Sequence, residues 1–162
     1  MAPAKAAAGS ASGPRPLSSR KSPPPERTAH DRRFLRALSP TECFDLLEPG
    51  GIGRVGISAA EGVIILPVNY AVKGQAIIYR TAPDTLLALH VNTQVSFEVD
   101  QCDESLHEGW SVLVQGRAHE VTDEHEVRQL EETHLKPWAP GARDVYVRLA
   151  ATEISGRRIQ PS

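Results

Sequence analysis

The chain has 162 residues, with 18 Lys and Arg against 20 Asp and Glu, 13 Pro, 12 Gly, 2 Cys and 40% hydrophobic side chains. That length suits one domain, and the composition excludes a collagen-like repeat, a disulfide-stapled scaffold and a wholly disordered polymer. No apolar run reaches the roughly 18 residues of a membrane span. The N-terminus also lacks the apolar centre of a secretory signal, so a cytosolic protein is expected.

Charge is distributed unevenly. Residues 1–38 hold eight basic side chains against Glu26 and Asp31, a net of +6 that leaves −8 for the remainder. Six of the thirteen prolines fall in this stretch, and few large apolar residues precede Phe34. Such a segment cannot bury enough surface to offset its ordering entropy. Residues 1–38 therefore read as a disordered basic tail and 39–162 as the folded domain. Without interleaved aromatics or a groove-reading motif, the tail suits a solubilising extension better than a nucleic-acid contact.

Order is expected to begin at Ser39-Pro40-Thr41-Glu42, where an N-cap Ser, a Pro at the first helical position and an acid three residues after Ser start a helix that Pro49-Gly50-Gly51 ends. Runs rich in β-branched residues follow at 52–57, 63–72, 76–80, 94–100, 110–121 and 144–159. Six strands of this kind predict a mainly β fold, a β-barrel with short helices. The tight connections at 59–62 and 73–74 predict an antiparallel meander of the first three strands. Helices are expected over 83–90 and 123–134, the second capped by Asp123 and facing solvent.

None of the six histidines shares a metal-type spacing with another His or Cys, so no metal site is expected. Neither nucleophile-elbow nor Rossmann nor P-loop patterns occur. Cys43 and Cys102 stand alone and read as reduced structural thiols. What remains is Tyr79-Arg80-Thr81-Ala82-Pro83-Asp84-Thr85, where a bidentate cation and two hydroxyls meet a helix start, a corner suited to a phosphate monoester. Taken by itself, the segment is explained more simply by a Thr81 cap and a surface arginine. Pro67, inside the otherwise strong strand Leu66-Pro67-Val68-Asn69-Tyr70, marks an edge, a bulge or a ligand-facing position. Trp110 and Trp138 are candidate walls for a planar ligand, though either could equally belong to a core.

In this order, the segments GRVGIS, ILPVNYAV, IIYRTAP, VSFEVD, GWSVLVQGRA and KPWAPG resemble the pyridoxamine 5′-phosphate oxidase-like flavoproteins, most closely the branch with the nitroimidazole-resistance proteins. The similarity spans about residues 39–160. It implies a split β-barrel, a homodimer, and two FMN molecules in clefts at the subunit interface. By resemblance Arg80 and Thr81 hold the FMN phosphate with Thr85 in support, and the backbone of Pro67, Val68 and Asn69 runs along the flavin ring. Trp110 and Ser111 approach the flavin, and Trp138 reaches across from the partner. The implied activity is a flavin-dependent oxidoreductase acting on a small molecule, with a reduced nicotinamide as a possible donor and no residue assigned as catalytic. One departure stands out: Leu86 occupies a position where relatives commonly carry Lys, which removes one phosphate cation and opens deazaflavin or FAD as alternative cofactors. The competing functions are a non-catalytic flavin carrier and a barrel scaffold without cofactor.

Overall fold

The computed structural model describes residues 33–133, 135 and 141–161. Along the chain these form β1 (Arg33–Leu38), α1 (Pro40–Leu47), β2 (Gly51–Ala59), β3 (Gly62–Lys73), β4 (Ala76–Thr81), α2 (Leu86–Leu89), β5 (Gln94–Asp103), β6 (Glu108–Glu120), α3 (Glu124–Glu131) and β7 (Val145–Pro161). Most of the basic N-terminal stretch, residues 1–32, lies outside the described residues, as does Trp138.

Most strands alternate between a buried and an outward face, whose inner set closure hides, while β4 is buried on both, with Ile77 and Tyr79 in the barrel and Ile78 in a second cluster with Val121, Leu130, Leu135 and Tyr146. The sheet runs β1-β7-β4-β3-β2-β5-β6, and β6 pairs back onto β7, so β7, β4, β3, β2, β5 and β6 close into an antiparallel barrel. Inward side chains Val55, Ile57, Val68, Tyr70, Ile77, Tyr79, Phe97, Val112, Val114 and Leu149 fill it. Phe97 meets Tyr70 edge to face at 5.0 Å, a geometry that adds specificity to the area both rings bury. Gly53 makes room for that pair, since a Cβ there would collide with the Phe97 ring.

β7 serves β4, β6 and β1 in turn. It does so by shifting register at Gln115/Gly116, where Gln115 faces Glu153 but Gly116 faces Ala151. A bulge of this kind bends a strand, and glycine is required because any Cβ at residue 116 would strike the Ala150 carbonyl oxygen.

The expected mainly β barrel with short helices is what the chain forms, including the β2-β3-β4 meander. Three details differ. Residues 33–38, read as tail, form β1, which pairs with residues 156–161 of β7; Leu38 is its buried anchor, and its arginines suit an edge strand. The helix expected over 83–90 shrinks to four residues because Asp84 takes a left-handed φ of 63°, which postpones the helix until after Thr85. Cys102 is exposed, whereas Cys43 is buried as a structural thiol would be. α1 forms with both hydrogen bonds of its capping box. α3 is mostly wet but is pinned by buried Leu130 and by the Glu126–Arg148 ion pair.

Candidate functional site

The site is built where two strands part. β3 and β4 pair only from Tyr70 to Lys73, with Tyr70 opposite Tyr79. From Asn69 back to Gly62, β3 has a ladder on its β2 side only. Pro67, which cannot donate to a ladder, falls in that one-sided stretch, exposed and opposite Arg54. Val68 is buried and Asn69 half-buried. Arg80 and Thr81 continue β4 past the same point, so Pro67, Val68, Asn69, Arg80 and Thr81 flank one parting of the sheet.

Arg80 is held firmly. Its Nε donates to the Arg143 carbonyl oxygen at 2.7 Å, and its guanidinium lies over the Tyr146 ring, 4.7 Å from the centroid. The side chain is 23% exposed, and Nη2 is 3.8 Å from the Asp144 carboxylate, an ion-pair contact too long for a hydrogen bond. Of the five guanidinium N–H donors, the four on Nη1 and Nη2 make no hydrogen bond among the described residues and suit an anion. Burial pushes the Tyr146 phenol up, with Glu131 and Asp144 adding to the rise and Arg80 opposing it, so the phenol stays neutral beneath the cation.

The hydroxyls beside Arg80 are already engaged. Thr85 Oγ1 donates to the Ala82 carbonyl oxygen at 2.9 Å and accepts from the Ala88 N–H at 3.3 Å. With its one proton spent, Thr85 must accept from Thr81 Oγ1 across their 2.7 Å contact. Thr81 is 1% exposed, and its pairing explains how a buried hydroxyl is tolerated. An arriving anion is met first by Arg80, and Thr85 reaches it only by giving up Ala82. The donor set nonetheless fits a phosphoryl group: a planar, pre-oriented cation beside redirectable hydroxyls.

Trp110 and Ser111 are not brought to this corner. β7 pairs with both of their strands, and there Arg80 faces Tyr146 whereas Trp110 faces Arg158, twelve residues further along β7. Trp110 instead lines two open clefts, of about 710 and 770 Å³, at the end of the β5–β6 hairpin. Ser111 lines the larger, which also has Leu35 and Ile159 as apolar walls and Arg157 at its rim.

Sequence reasoning missed two clusters. One is Arg143, whose Nε is buried without a hydrogen-bond partner. The other lies on the outer face between Pro67 and the hairpin cleft, where Arg54 Nη1 bonds Glu98 at 3.1 Å and Asp100 at 2.6 Å. Burial and the neighbouring Asp100 push the Glu98 carboxyl up against the opposing pull of Arg54. For Arg54 the period-two alternation of β2 and β5 was a usable signal; for Arg143 there was none, because its contact with Arg80 spans 63 residues. Among the described residues, no group of three or more His, Cys, Asp or Glu is placed to hold a metal ion. No helix among them is long and apolar enough to cross a membrane.

A profile of the pyridoxamine 5′-phosphate oxidase family matches residues 39–158. An FAD binding protein from Mycobacterium smegmatis is 34% identical, superposes with a TM-score of 0.65, and is covered over 96% of its length by 75% of this chain. An uncharacterized protein of Mycobacterium tuberculosis strain H37Rv is 32% identical over 133 residues, 78% of this chain and 87% of that one. A provisionally named 5-nitroimidazole antibiotic resistance protein from Bacteroides thetaiotaomicron shares the fold at 13% identity, with a TM-score of 0.61 over 82% of this chain and 95% of its own. By its profile match and its barrel, the chain belongs to the pyridoxamine 5′-phosphate oxidase family.

Proposed function

We propose that this protein binds a flavin nucleotide, with the phosphate at the Arg80 corner and the ring along the one-sided stretch of β3 at Pro67, Val68 and Asn69. We propose further that it works as a flavin-dependent oxidoreductase on a small molecule. The observation that carries the reading is Arg80 itself: a guanidinium fixed by Arg143 and Tyr146 whose Nη donors make no hydrogen bond among the described residues. FMN is the simplest occupant. The name of the 34% identical Mycobacterium smegmatis protein supports FAD as a second reading, and the corner serves either, since both carry a phosphoryl group on the ribityl chain.

Bound flavin would supply the hydride and electron chemistry, leaving orientation and electrostatics to the protein. Arg80 neutralises and orients the phosphoryl end, Thr85 and Thr81 lend hydroxyls, and the backbone of Pro67–Asn69 aligns the ring. The offset of twelve residues along β7 between the positions that Arg80 and Trp110 face supports a homodimer in which a second copy brings Trp110 and Ser111 to the ring. The outer face supports the same assembly. Val63, Ile65 and Leu113 are 71%, 63% and 38% exposed there, share that face with Pro67, and surround the Arg54–Glu98–Asp100 cluster, a composition typical of an interface.

The test is to purify the full chain, record its visible spectrum as isolated and after adding FMN or FAD, and then add NADPH under anaerobic conditions. A bound flavin that bleaches with NADPH and recovers in air with turnover supports the oxidoreductase. A bound flavin that is never catalytically reduced leaves a carrier, and a protein that takes up neither flavin rejects the proposal.

A further inference from the structure

We infer that Arg143 is the second cation of the anion corner, taking the part that Leu86 cannot play. The inference rests on the flavin-nucleotide reading above and specifies how the phosphoryl group is held. Residue 86 offers an uncharged side chain, 43% exposed, immediately after Thr85. Arg143 is brought to the corner from the opposite direction: its carbonyl oxygen receives Arg80 Nε at 2.7 Å.

Its side chain carries an unanswered requirement. Arg143 Nε is buried and has no hydrogen-bond partner, and among the described residues its guanidinium forms no ion pair. Buried donors in folded proteins are nearly always satisfied, and an orphan on a charged group is costly. An anion seated between Arg80 and Arg143 removes that cost. The local charge leaves a part for a second cation. Asp144, 74% exposed and only at ion-pair distance from Arg80, and Glu131, whose charge acts on Tyr146 beneath Arg80, set two carboxylates near one guanidinium, so the phosphoryl oxygens of FMN or the pyrophosphate of FAD call for the charge of Arg143 as well.

The experiment titrates the full-length wild type and Arg143→Ala with FMN and with riboflavin, which lacks the phosphate, following flavin fluorescence. The carbonyl that fixes Arg80 belongs to the main chain and survives the substitution. FMN affinity is expected to fall about tenfold to a hundredfold, the worth of one charge-assisted contact, with riboflavin affinity unchanged. Leu86→Lys added to Arg143→Ala should recover most of the loss. Arg143→Gln, which removes the charge but keeps a polar side chain, is the second variant should Arg143→Ala fold poorly, with the same expectation.

An Arg143 variant that binds FMN as the wild type does, while Arg80→Ala does not, overturns this inference alone. Equal losses for FMN and riboflavin also overturn it, because they denote a structural role. A wild-type chain that binds FMN no better than riboflavin overturns the phosphate corner and this inference with it.

Discussion

The Arg80 corner and the cleft at the β5–β6 hairpin carry the two halves of the candidate site, and they are built differently. At the corner, Arg80 is tied to Arg143, Asp144 and Tyr146, and Thr81 to Thr85, so the polar groups are oriented before any ligand arrives. The hairpin cleft is wide, Trp110, Ile159 and Leu35 form its apolar walls, and the hydrogen bonds to its Asp103 come from Ser105 and Leu106 of the same turn. Preorganised polar groups suit an anchor that fixes register. A broad aromatic and apolar wall suits a surface completed by another body, which is the part assigned above to a second copy.

Removing what keeps the two regions apart should have the largest effect. Phe97 is fully buried on β5 and packs against Tyr70, the residue at which β3 and β4 part. Phe97→Ala is expected to cost about 3–5 kcal/mol, lowering the urea midpoint and disturbing both regions together. A change confined to the outer face should separate them instead. Leu113→Asp puts a third carboxylate near Glu98 and Asp100 and is expected to raise the dissociation constant of the proposed dimer about tenfold or more. Sedimentation equilibrium reads this directly, and far-UV circular dichroism should show an intact barrel.

The smallest effect lies remote from both regions and serves as a control. Hydrogen bonds from the Ser39 N–H and Arg36, with the Ser39 hydroxyl, lower the Glu42 carboxyl from an ordinary value near 4.5 to about 2. Because the folded value is the depressed one, the stabilisation is complete above about 4.5 and fades as pH falls toward 2. Glu42→Gln should flatten that acid limb in urea melts without changing flavin affinity. Ser39→Ala should cost about 1 kcal/mol at neutral pH through the lost cap.

The barrel was legible where local chemistry dictates local form. Ser39-Pro40-Thr41-Glu42 spells a helix start, and the short connections at 59–62 and 73–74 force β2, β3 and β4 into a meander. β1 was not legible. Its six residues, RFLRAL, include two arginines, and a strand held by backbone pairing needs little apolar sequence of its own. The site divides in the same way. Thr81 and Thr85 meet over four residues and were readable as a pair, whereas Arg80 reaches Arg143 across 63 and Trp110 faces β7 twelve residues beyond the position that Arg80 faces. Such contacts follow from closure of the barrel, which composition and periodicity foreshadow without fixing which side chains meet. The expectation that Arg80 is a surface side chain with little part in packing also gives way: it is 23% exposed, stacked on Tyr146, and secures the chain at Arg143.

The central claim is that Arg80 seats the phosphoryl group of a flavin nucleotide, and the FMN-to-riboflavin affinity ratio of Arg80→Ala tests it most directly. Wild type should favour FMN, and the variant should lose about tenfold to a hundredfold of that preference while riboflavin binding stays close to wild type, with the thermal midpoint lowered by the lost Arg143 and Tyr146 contacts. A variant that retains the full wild-type preference for FMN would contradict the account.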